Sequence, residues 1–86
     1  MRRAAVSIPS NIAEGDELDT NAQAIRHFYI AKGSTAEVLT QSIIALEIGY
    51  IDRTQYQHIE QECITIASML TRLIQARRRT LSKTKV

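Results

Sequence analysis

Two histidines, one cysteine and nine carboxylates are the side chains here that could do acid–base, nucleophilic or metal chemistry. Their spacing argues against all three. Di-metal sites in helical bundles are built from Glu-x-x-His pairs, but the residues three before His27 and His58 are Ala24 and Gln55. His58 and Glu62 stand four apart, the spacing of a helix-surface contact, whereas a metal site needs three or four ligands. Cys63 falls among regularly spaced apolar residues with no histidine placed to serve as its base, and a thiol there is a small packed hydrophobe. Lys32-Gly33-Ser34 has the ending of a phosphate-binding loop, but its upstream glycine is missing and the stretch lies within a helical pattern rather than after a strand. No serine triad can be assembled. The expectation is a non-enzymatic chain with no metal, no cofactor and no small-molecule substrate.

The elements that hold these residues are helical. Ala, Ile, Leu, Gln, Glu and Arg dominate the 86 residues, interrupted by three glycines and one proline. The periodicity predicts a first helix from about Arg2 to Glu14, with Ala5, Ile8 and Ile12 on one stripe, a kink or restart at Pro9, and a stop at Gly15. A second helix is predicted from Asp19 or Thr20 to about Ile48. Its apolar positions are Ile25, Phe28, Tyr29, Ala36, Leu39, Ile43 and Leu46, and from Ala36 onward they follow a heptad-like seam. Gly33 lies within it, and the small residues Gly33, Ser34 and Ala36 form a notch suited to the close approach of another helix. Asp52 opens a third helix, with Gln55 completing a capping box. Its seam is Tyr56, Ile59, Cys63, Ile66, Leu70 and Leu73, ending near Arg79. Two helices of roughly 40 Å joined by about four residues make an antiparallel hairpin. The fold class is thus all-α, an up-down helical bundle of two long antiparallel helices plus a shorter N-terminal helix. It forms one domain over residues 1–80, with a flexible basic tail at 81–86.

So small a domain has a marginal core, and a lone cysteine rules out an internal disulfide. A homo-oligomer is the natural source of further burial. One unpaired thiol also fits a reducing, cytoplasmic compartment. Apolar runs of four residues or fewer exclude a membrane span.

Charge is distributed unevenly. Arg2 and Arg3 stand at one end, and Arg77, Arg78, Arg79, Lys83 and Lys85 at the other, while residues 4–76 hold four basic against nine acidic side chains. Basic ends on an acidic body suit phosphate contacts, and hence structured RNA or an RNA/DNA hybrid. With no Trp and a single Phe, base stacking is unsupported and the contacts would be led by the backbone. The rival reading is a structural or scaffold protein that binds a partner polypeptide through an exposed apolar seam. On the first helix, Ser7, Asn11 and Glu14 share one polar stripe. It is either a solvated face or an inter-helix hydrogen-bond network that reaches Ser34 or Glu37.

The segments RRAAVSIPSNIAEG (residues 2–15) and FYIAKGSTAEVLTQ (residues 28–41), with LEIGYID and MLTRLI after them, resemble the four-helix-bundle proteins encoded in intervening sequences of bacterial 23S ribosomal RNA genes. A relative with the same bundle is the accessory protein of diversity-generating retroelements. The resemblance implies a bundle that assembles as a homopentamer, an association with nucleic acid, and no catalytic residues. Its signature positions here are Ser7, Pro9, Asn11, Glu14, Gly15, Gly33, Ser34 and Glu37, all expected to be structural. Family members carry another long helix before Arg2, so the expected architecture resembles a four-helix bundle lacking its first helix.

Overall fold

Thr20 and Asp52 open the two long helices, each by satisfying backbone donors that a helix start leaves bare. In the computed structural model, which describes the backbone of residues 2–17 and 20–84 and the side chains of 4–15 and 20–80, the Thr20 hydroxyl accepts from the Gln23 amide at 3.3 Å. The cap at Asp52 is reciprocal. Its carboxylate accepts from the Gln55 amide at 2.7 Å, and its own amide donates to the Gln55 side-chain oxygen at 2.9 Å. The elements are α1 (Arg2–Glu17), α2 (Asn21–Glu47) and α3 (Arg53–Thr84). There is no strand among the described residues. Gly49, at φ 82°, makes the turn between α2 and α3, and its amide closes onto the Leu46 carbonyl at 3.2 Å.

α3 carries the periodicity expected of it. Cys63 and Leu70 are buried, Ile59, Ile66 and Leu73 are half-buried, and Ile74 joins the core at 3% exposure. Leu70, expected on a seam partly open to a partner, is fully enclosed. The helix continues to Thr84, past the end expected at Arg79. Lys85 and Val86 lie outside the described residues, as do Leu18 and Asp19.

α2 departs from expectation. Its buried residues are Ala24, Phe28, Ala31, Ser34, Thr35 and Ser42, one position off the heptad seam that starts at Ala36. Ala36 and Ile43 are exposed instead. Two hydroxyls can occupy the core because each is satisfied within its own helix. Thr35 donates to the Ala31 carbonyl at 2.8 Å, and Ser42 donates to the Val38 carbonyl at 2.7 Å. Once their polar atoms are bonded, what they show to α3 is a small, mostly apolar surface.

α1 runs unbroken through Pro9 and past Gly15, so neither residue stops it. Gly15 is a close-approach position. A Cβ built there would lie 2.8 Å from Phe28 Cε1, 3.1 Å from Phe28 Cδ1 and 3.2 Å from the Ala24 carbonyl oxygen. Only glycine lets α1 settle on the Ala24–Phe28 turn of α2. Gly33 has the opposite environment: a Cβ there would meet nothing within 4 Å. The notch expected at Gly33 is therefore empty within the chain.

α1 and α3 both pack on α2 and, among the described residues, not directly on each other. Between them runs a trough of about 420 Å³, walled by Ala5, Ile8 and Ile12 on one side and Ile59, Cys63 and Ile66 on the other, with Val38 on its floor. The molecule is long and thin, 54 × 19 × 14 Å.

Candidate functional site

A polar clasp joins α1 to α2. Ser7, Asn11 and Ser34 come together as the sequence allowed, and His27 completes the set. Asn11 Nδ2 donates to the Ser7 carbonyl at 2.9 Å and to Ser7 Oγ at 3.0 Å, and Ser34 Oγ donates to Ser7 Oγ at 2.8 Å. This turns Asn11 Oδ1 toward His27 Nδ1, 2.9 Å away. An amide oxygen only accepts, so His27 Nδ1 carries the proton. Sequence reasoning missed His27, although its spacing of seven from Ser34 puts both on one face of α2. Glu14 and Glu37 stay outside the clasp. Both are exposed, and Glu37 only accepts from Gln41 at 3.4 Å. The arrangement fixes the register of two helices and aims no nucleophile, acid or metal set at a cavity.

The arginines near the end of α3 do two different things. Arg77 donates to the Asn21 side-chain oxygen at 3.0 Å. Arg78 donates to the Tyr29 hydroxyl, with its guanidinium 5.5 Å from that ring's centroid. Both therefore tether α3 to the first three turns of α2. Arg79 is exposed, as is Arg72 two helical turns earlier. The side chains of Arg2, Arg3 and Lys83, and the whole of Lys85, lie outside the described residues.

Arg77 and the start of α1 lie at different levels of the molecule. α1 runs antiparallel to α2, with Ser7 at Ser34 and Gly15 at Ala24, while Arg77 reaches Asn21. Ser34 and Asn21 are roughly 20 Å apart along α2, and the start of α1 lies beyond Ser34. Arg77 and the backbone at the start of α1 thus sit at different stations along the rod.

The remaining chemistry-bearing side chains are accounted for locally. Cys63 is buried, and desolvation raises its thiol pKa above the ordinary 9.0, with the Glu62 charge adding to it. The Tyr56 hydroxyl donates to Glu60 at 3.0 Å. That bond raises its pKa above 10.0, with desolvation next. His58 and Glu62 are 3.0 Å apart but 75% and 64% exposed, a solvent-screened surface pair. Among the described residues no group of three or more His, Cys, Asp or Glu could hold a metal ion. No helix there is long and apolar enough to cross a membrane.

A search of the curated proteins finds no match. A family model described as 23S rRNA-intervening sequence protein matches residues 1–72, a span holding the clasp, both long-helix caps and most of the α3 seam. On that match over most of its length, this all-helical chain belongs to the 23S rRNA-intervening sequence protein family.

Proposed function

We propose that this chain is a non-catalytic, self-associating helical protomer that binds structured RNA or an RNA/DNA hybrid through the cationic last turns of α3. The observation that carries the reading is the position of Arg72 and Arg79. They stand seven residues apart on one exposed face. Side chains at that spacing line up along one strip, which suits a run of phosphates. The description of the family, naming 23S rRNA, agrees with a nucleic-acid role. Arg77 and Arg78, held against Asn21 and Tyr29, stiffen the strip and add positive potential beside it. Association of several copies would repeat the strip and raise affinity without any new contact.

The test is binding to a structured RNA across a salt series. Neutralising one phosphate-binding cation removes roughly one unit from the log–log slope, so Arg72→Gln with Arg79→Gln should flatten it by about two. A wild-type slope near zero, or low-salt affinity no better than that of an uncharged control protein, defeats the proposal.

A second reading is favoured by the trough between α1 and α3: a scaffold that takes an apolar segment of a partner polypeptide. Its discriminator is a pull-down that Ile8→Glu abolishes and Arg72→Gln leaves intact.

A further inference from the structure

Charge is segregated along the hairpin. Residues 21–36 of α2 and 63–80 of α3 lie side by side, from Arg77 on Asn21 to the groove that Ala36 shares with Cys63 and Ile64. Together they carry Arg26, Lys32, Arg72, Arg77, Arg78 and Arg79 and no carboxylate. The rest of the hairpin, residues 37–62, holds Glu37, Glu47, Asp52, Glu60 and Glu62 against Arg53. Glu14, exposed beside Gly15, belongs to α1, which packs on α2 and not on α3. The acidic side chains that follow it lie outside the described residues.

Among the described residues two aromatic side chains are exposed, Tyr29 at 44% and Tyr50 at 83%. Tyr50 stands between Glu47 and Asp52 in the acidic half. Tyr29 stands in the cationic half, with Arg26 and Lys32 three residues to either side and hence its neighbours on the helix surface. Side chains lean toward the start of their own helix, so in this antiparallel pair Tyr29 and Arg78 lean toward one another. The Arg78 guanidinium bonds the Tyr29 hydroxyl, with its centre 5.5 Å from the ring centroid. A ring has two faces, and Arg78 takes no more than one. The exposure left to Tyr29 is too large for a hydroxyl already covered by Arg78, so ring carbon is open to solvent.

We infer that Tyr29, held by Arg78, is a stacking platform for one unpaired base of the bound RNA, while the arginines of α3 hold phosphates beside it. The inference rests on the nucleic-acid reading above and names the feature recognised: a bulge, loop or single-stranded end whose base has left the helical stack. Three properties select a nucleotide as the occupant. The open ring offers a π-face, which suits any base. The bond to Arg78 orients that ring before the ligand arrives, so little side-chain freedom is lost on stacking. The facing stretches of α2 and α3 hold no carboxylate to repel the phosphate that a base brings with it. An acidic peptide would satisfy the cations but leave the ring face without a planar partner. Few aromatic residues argue against stacking along a whole strand, yet one ring suffices for one base. Only the pairing of α2 with α3 sets that ring among cations.

The experiment compares, in the full chain and across a salt series, a blunt RNA duplex with the same duplex carrying one bulged 2-aminopurine. Wild type should prefer the bulged RNA and quench the 2-aminopurine fluorescence on binding. Tyr29→Leu should lose about 5- to 150-fold on the bulged RNA, abolish the quenching, and leave the blunt duplex and the salt slope unchanged. Tyr29→Phe keeps the ring and should keep most of the affinity and the quenching. Tyr50→Leu should alter neither, and circular dichroism checks that each variant retains its helicity. Wild type that binds neither RNA in a salt-dependent way overturns the nucleic-acid reading and the platform together, as does polyglutamate bound where RNA is not. Salt-dependent binding without preference for the bulge, or a preference that Tyr29→Leu keeps, overturns the platform alone. A Tyr29→Phe protein as weak as Tyr29→Leu overturns it too, since the hydroxyl rather than the ring face would then be what matters.

Discussion

Gly15→Ala should destabilise this protein, although the same change normally favours a helix. Alanine gains about 1 kcal/mol over glycine in a helix interior. At Gly15 the new methyl carbon would sit 2.8 Å from Phe28 Cε1 and 3.2 Å from the Ala24 carbonyl oxygen, against an ordinary contact of 3.4–4 Å. Phe28 has 0% exposure, so its ring cannot swing into solvent, and the Ala24 oxygen belongs to the α2 backbone. Relief requires α1 to move off α2 by several tenths of an ångström, which strains the Ser7–Asn11–Ser34 bonds two turns away. Overpacking of this kind costs typically 1–3 kcal/mol. Set against the helix gain, the net is a loss of about 0–2 kcal/mol. For a domain of this size each kcal/mol is worth about 4–8 °C in Tm. The assay is urea unfolding followed by circular dichroism at matched protein concentration, run as a double-mutant cycle with Phe28→Leu. Removing ring atoms should relieve the clash, giving a coupling of about 1 kcal/mol or more with Gly15→Ala. A Gly15→Ala protein more stable than wild type, with no coupling to Phe28, would show that α1 does not rest on α2 as described.

Two further outcomes follow from the clasp and the core thiol. Asn11→Ala removes the bonds to Ser7 and His27 at once and strands half-buried polar atoms, so it should cost about 1–3 kcal/mol. Asn11→Asp restores an acceptor for His27 Nδ1 but no donor for Ser7, and should recover only part of that loss. Equal stability of all three proteins in urea melts would mean the clasp contributes nothing. Cys63 should react slowly with an aromatic disulfide reagent at neutral pH and rapidly in urea, since burial both hides the thiol and raises its pKa above 9.0. With the folded-state pKa raised, the contribution to stability is complete below the unfolded value and declines as pH climbs through the folded one. Cys63→Ala should lessen that alkaline decline, leaving the part that Tyr56 contributes through its own raised pKa, and an unchanged pH profile would contradict the assignment.

What the sequence determined alone is whatever depends on neighbours along the chain. The cap of α2 at Asp19 or Thr20, which falls on Thr20, the Asp52–Gln55 capping box and the seam of α3 are all local. Each rests on residues a turn or two apart whose preferences agree with the fold. The clasp was half legible. Ser7, Asn11 and Ser34 could be placed on facing stripes, but no local rule distinguished a network from a solvated face. Three features were decided only by tertiary packing. α2 carries apolar residues on more than one side, so periodicity could not say which of them meets α3, and internally bonded Thr35 and Ser42 hid the true seam behind polar letters. The glycines exchanged roles, Gly15 becoming the contact point and Gly33 the open position, because a close approach depends on which helix arrives and where. Arg77 and Arg78 looked like free surface charge until the antiparallel hairpin brought Asn21 and Tyr29 alongside them. In each case the deciding neighbour lies on another helix, beyond the reach of any pattern read along one.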